Sequence, residues 1–427
     1  MSLKQKDLTA IKKLSQRLVD AQQHLRILDQ IKWDEEIQVD FFKHKGKKLP
    51  AVDAEYYTQN PLPYNSHEKI QEFREIHRDA QHQLGQYSAI TRLIRRQCDE
   101  YVRAVEMLSA RGTPLFAALS GELYGNASDV FYPGGPRLSE MGDLLFDILT
   151  NLGVQLTTDE NSITYEADQA REILQKRLDG YFTNHQVRVM INDKIVSDAS
   201  AGADKIKLSK NVRFSEQELN CLEVHEGWVH VGTTFNGASQ PYCYFLSKGS
   251  PSCSVLQEGL AVLTEVVTFS AYPGRLLKIM NRVIALDKIS NGADFLDIYN
   301  YFQECGCSEL QSYNQSARVF RGSTPTGGPF TKDLSYAKGL VLIYNFMKFV
   351  ISKHRVDMVP LLFTGKITLE DIPLLMELKQ EGLLIDPMYL PPQFRDLSGL
   401  SAWLSLSIYF NKFDFHAVKN NFGFLLS

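Results

Sequence analysis

Apolar residues recur at helical spacing through most of the chain. Leu8, Ile11, Leu14 and Leu18 mark an amphipathic stretch over residues 4–45, and Pro50 with the run Asn60-Pro61-Leu62-Pro63 interrupts it. Leu84, Ile90, Leu93, Ile94, Tyr101 and Leu108 predict one long helical region over 67–111. Ala170, Ile173, Leu174 and Leu178 predict a further helix over 165–178. The period then changes. Val187, Val189 and Ile191 alternate with polar positions, and Ile206 and Leu208 do so again beyond Gly202, which predicts a small antiparallel sheet. After residue 275 the pattern is helical again, and there are no repeats. The chain therefore reads as α+β and mostly helical. The run Pro133-Gly134-Gly135-Pro136 divides it into a helical region, 1–132, packed on a larger part, 133–427.

Between the predicted sheet and the C-terminal helices lie two helix starts. In Phe214-Ser215-Glu216-Gln217-Glu218-Leu219, Ser215 and Glu218 form a capping box, and Phe214 with Leu219 a hydrophobic staple. That helix runs into His225-Glu226-Gly227-Trp228-Val229-His230. A second capping pattern, Ser254-Val255-Leu256-Gln257, places Glu258 early in the next helix, with Leu260, Leu263 and Val267 as its apolar stripe. Glu265 follows on nearly the same face and suits a supporting role behind the ligands.

Two imidazoles and a carboxylate are the donor set of a catalytic zinc site, so His225, His230 and Glu258 are the candidate ligands. Zinc suits this set better than calcium or magnesium. Glu226 is the candidate general base. The spacing carries a condition. Residues five apart on an α-helix differ by roughly 140° in direction. His225 and His230 can share a ligand only if the helix is bulged to π geometry or ends early. Gly227 relaxes the backbone inside the motif. An edge strand beside this helix could hold an extended peptide, or simply cover the core.

Composition narrows the setting. The net charge of −4 and pI near 6.2 give no sign of a nucleic-acid surface. The N-terminus lacks an apolar h-region, and the most apolar run, Gly339–Ile351, is too short for a membrane span. Cys98, Cys221, Cys243, Cys253, Cys305 and Cys307 match no disulfide framework. These features point to a cytoplasmic protein with reduced thiols and no membrane. The remaining histidines sit among polar neighbours and read as solvated.

A second cluster lies at Arg318-Val319-Phe320-Arg321-Gly322 and Gly328-Pro329-Phe330-Thr331-Lys332-Asp333, followed by Tyr336. Glycine-flanked Arg321 and Lys332 suit capture of a carboxylate, and Tyr336 suits stabilisation of an oxyanion. The same composition is also that of a solvated loop with a turn. Taken with Gln257-Glu258-Gly259-Leu260-Ala261 and the histidine motif, this cluster makes the chain resemble the QEGLA-motif proteins. That family includes the microtubule-associated tyrosine carboxypeptidases of animals, which remove a C-terminal tyrosine from tubulin. The resemblance implies a zincin-type metallopeptidase with zinc on His225, His230 and Glu258, and Glu226 as base. It departs from the family's H-E-I-G-T-H in having Gly227, Trp228 and Val229 between the ligands. The expected activity is that of a carboxypeptidase on a protein or peptide C-terminus. An endopeptidase, another amide hydrolase, and a metal-binding regulatory protein without turnover are the alternatives.

Overall fold

The apolar run over 67–111 is two helices rather than one. Gly85, with φ of +83°, ends the first, and the Ser88 hydroxyl caps the second by accepting from Thr91 N at 3.3 Å. The computed structural model that shows this describes residues 5–156, 164–193, 198–422 and 425. Its principal N-terminal helices are α1 (Gln5–Ala21), α2 (Ser66–Leu84), α3 (Ala89–Ser109), α4 (Pro114–Tyr124) and α5 (Leu138–Leu156). The apolar stripes of α1 to α3 do not close on themselves. Ile11, Phe73 and Leu93 share one core with Leu256, Leu260, Phe363 and Leu375 from the C-terminal half. Each such side chain, fully withdrawn from water, contributes roughly 2 kcal/mol.

The strand residues read from alternation do form strands, but the sheet is not purely antiparallel. Strand β1 (Thr164–Tyr165) precedes α6 (Ala167–Tyr181), followed by β2 (Arg188–Asn192), β3 (Ala199–Ala201), β4 (Lys205–Ser209) and β5 (Phe214–Ser215). The second sheet has the order β2-β4-β3, with β2 parallel to β4 and β3 antiparallel to it. The reason is an unforeseen strand. The tight turn at Gly202, closed by Gly202 N–H to Lys205 O at 2.6 Å, joins β3 to β4, so β2 pairs on the far side of β4. Strands β1 and β5 form a separate antiparallel pair that leads into the next helix.

The helices that carry the candidate chemistry follow: α7 (Glu216–Leu222), a π-helix (Glu223–Val231), α8 (Gly232–Ala238), α9 (Cys253–Val267), α10 (Pro273–Ser290), α11 (Glu309–Phe320) and α12 (Ser335–Ser352). Within the described residues, Thr331–Ser352 is one run with the length and composition of a membrane span. Its apolar residues have an internal explanation, since Ala337, Ile343, Met347 and Val350 are buried in the core. All six cysteines are free thiols.

Candidate metal centre

Ser215 starts α7 as the capping box requires. Its Oγ accepts from Glu218 N at 3.2 Å, while Glu218 Oε2 accepts from Ser215 N at 2.9 Å. The helix then widens over Glu223–Val231, where Gly232 N–H donates to Gly227 O five residues back. This is the distortion that the spacing demanded. It brings the rings of His225 and His230 to 4.7 Å, at 90° to each other. Trp228 does not obstruct them, because its indole stacks on Tyr181 of α6 at 5.2 Å. Gly227 serves packing rather than backbone freedom. A methyl there would lie 2.5 Å from Cδ2 of the fully buried Leu178.

Glu258 comes from α9, which begins at Cys253 rather than at a Ser254 cap. The carboxylate Glu100 Oε2, from α3, accepts from the N–H and hydroxyl of Ser252 at 3.0 and 2.5 Å. Ser254 lies inside the first turn and donates to Pro251 O. The next residue after Glu258 fixes the crossing with α12. A Cβ on Gly259 would sit 2.0 Å from the carbonyl carbon of Gly339, and one on Gly339 would sit 1.9 Å from Val255 O. The two backbones therefore touch, which sets Glu258 against the start of α12.

His225, His230 and Glu258 place three donor atoms within 4.8 Å of one another. Glu258 Oε2 lies 3.2 Å from His225 Nε2 and 3.4 Å from His230 Nε2. Behind them, His225 Nδ1 lies 2.5 Å from Oε1 of the fully buried Glu265. Arg275 grips the same carboxylate with Nη2 at 3.1 Å and Nε at 3.2 Å. An acceptor that strong holds a proton on Nδ1, so Nε2, which donates to Glu258 without metal, is the nitrogen that can bind a cation once its own proton is displaced. Burial would raise the Glu265 carboxyl, but Arg275 and His225 outweigh it and bring it to about 2. Burial opposes a charge on His225 as well, yet its bonds to Glu258 and Glu265 lift it to about 9. His230 moves down, burial prevailing over Glu258. These residues fit a divalent cation: two imidazole nitrogens and a carboxylate oxygen, with an outer carboxylate fixing one tautomer.

Glu226 turns to the sheet. Its Oε2 accepts from Ala201 N at 2.8 Å, so the outer side of edge strand β3 faces the π-helix. Lys332 Nζ lies 3.8 Å from the other oxygen of Glu258. The Tyr336 ring stacks on His225 at 6.0 Å. Burial pushes the Tyr336 phenol up, so it stays protonated at neutral pH.

Beyond Tyr336 lies a group of three arginines around one carboxylate. Arg318 binds Asp333 through Nε and Nη2. Arg282 Nε is 4.0 Å from Asp333 and its guanidinium lies 5.7 Å from the Tyr336 ring. Arg321 lies over Phe330 at 5.3 Å, and its buried Nε has no hydrogen-bond partner among the described residues. Burial, with Arg318 close by, pushes Arg321 down to about 10 and Arg282 in the same direction.

The structure thus brings His225, His230, Glu258, Lys332 and Tyr336 together, with Glu226 on the strand side and Arg321 in the cationic group. Sequence reasoning missed Arg275, Arg282, Ala201 and Lys366. For Arg282 the only signal was an arginine inside an otherwise apolar helical stripe.

No individual curated protein matches the chain. Comparison with known families matches residues 39–412 to the one described as microtubule-associated tyrosine carboxypeptidase. With nearly the whole chain matched, candidate centre included, the protein belongs to the microtubule-associated tyrosine carboxypeptidase family.

Proposed function

We propose that the chain is a zinc-dependent carboxypeptidase acting on a protein or peptide C-terminus, with a zincin-like arrangement of His225, His230 and Glu258 as ligands. The observation that carries this reading is the pairing of a donor set for a cation with an arginine group in positive excess, joined through Tyr336. Bound zinc would polarise the scissile carbonyl and lower the pKa of the attacking water. The protein's own groups do the rest. Glu226 keeps one oxygen on Ala201 N–H and has the other available to take the water's proton and pass it to the leaving amine. Tyr336 and Lys332 donate toward the developing oxyanion. A terminal carboxylate entering a partly desolvated site needs a cation, and Arg282 and Arg321 have charge that Asp333 does not match.

The test is mass spectrometry of a peptide library incubated with the zinc-loaded wild type. Single residues are expected to leave from free C-termini, and the amidated copies of the same peptides are expected to remain intact. Equal cleavage of both would turn the assignment to an endopeptidase.

A further inference from the structure

Lys366 belongs neither to the candidate ligands nor to the arginine group, and it forms no ion pair among the described residues. Its Nζ donates to the main-chain oxygen of His230 at 2.9 Å and to Oε1 of Gln257 at 2.8 Å. Gln257 Oε1 also accepts from the buried Thr233 hydroxyl at 2.7 Å. One contact of the ammonium is thus the backbone of one candidate ligand. The other is the side chain immediately preceding another, Glu258. The lysine is itself held from behind. Its N–H donates to Leu246 O at 2.6 Å, and a Cβ on Gly249, where φ is +66°, would lie 2.3 Å from Lys366 Cβ. With its root fixed so closely, the ammonium has a defined place between the π-helix and α9.

We infer that Lys366 is a positioning residue for the metal. By tying the His230 carbonyl to the Gln257 side chain, it sets how far the imidazole of His230 stands from the carboxylate of Glu258, 3.4 Å in the structure. The inference rests on the metallopeptidase reading above. Outer partners that orient ligands typically change metal affinity by about 10- to 100-fold when removed.

The experiment measures zinc affinity of the full chain by chelator competition, and the visible spectrum of the cobalt-substituted protein, for wild type, Lys366→Met, Gln257→Leu and Gln257→Glu. Lys366→Met and Gln257→Leu are each expected to weaken zinc by about 10- to 100-fold and to alter the cobalt bands. Gln257→Glu keeps the acceptor and is expected to stay close to wild type. A residue important only for packing would lower the melting temperature without moving either readout. Wild-type affinity in Lys366→Met overturns the inference, as does an equal loss in both Gln257 variants. Should Lys366→Met fail to fold, the two Gln257 variants decide the matter alone. If the wild type itself binds no zinc, the metallopeptidase reading falls and this inference with it.

Discussion

The two charged clusters beside Tyr336 are both buried, and they are balanced in opposite ways. In the His225–Glu265–Arg275 chain each group has a matched partner, and the one exposed demand is for a cation at His225, His230 and Glu258. Around Asp333, Arg318 is paired and Arg282 stands at 4.0 Å, while Arg321 nearby has no carboxylate partner among the described residues, and the demand is for an anion. A peptide C-terminus has a carbonyl oxygen that a cation polarises and a carboxylate that arginine binds. Buried charge is costly unless paired, so an imbalance retained beside a candidate centre points to a ligand that completes it.

The largest expected effect comes from the one group that belongs to chemistry rather than to either balance. Glu226→Gln should retain zinc and fold while losing about 10³- to 10⁴-fold in kcat, measured on a free-C-terminus peptide. Undiminished turnover would remove Glu226 from the mechanism.

The arginine group should then separate into a structural and a binding member. Arg318→Gln breaks the bidentate pair with Asp333 and should destabilise the fold by about 3–5 kcal/mol in denaturant titration. Arg321→Gln removes a guanidinium with little to hold it. It should leave stability nearly unchanged and raise KM for free-C-terminus peptides by about 100-fold. Equal destabilisation by both variants, with KM unmoved, would mean the group only supports the fold.

On the metal side, Glu265→Gln should weaken zinc by about 10- to 100-fold, since a neutral amide no longer dictates which nitrogen of His225 carries the proton. The smallest effect per step is that of pH, at one unit of change. His225 is raised to about 9 without metal, so zinc must displace its proton at any lower pH. Apparent affinity should therefore fall by about tenfold per pH unit from 8 to 6. A flat profile would show that His225 carries no proton to displace.

Signals confined to one element were legible in the sequence. The Ser215–Glu218 box, the π distortion required by His225 and His230, and Glu265 behind the ligands all follow from spacing along a single helix. Signals that depend on distant segments were not. The cap of α9 was misplaced because its carboxylate, Glu100, lies 152 residues away. The sheet was read as antiparallel because β3 is three residues of alanine and serine without an alternating apolar pattern. Gly227 and Gly259 were visible as glycines, but only the packing of Leu178 and Gly339 shows what excludes a side chain there.

The crossing at Gly259 and Gly339 has a mechanical consequence. Where two helices meet through side chains, rotamer changes let them slide; where backbone meets backbone, sliding means collision. Glu258 and Tyr336, one on each side of that crossing, must therefore move as a single body. Any widening of the cleft falls to the opposite wall, where Ala201 N–H donates to Glu226 between strand and π-helix. The Glu258 carboxylate and the Tyr336 phenol keep a fixed relation to each other, set by backbone rather than by side-chain packing.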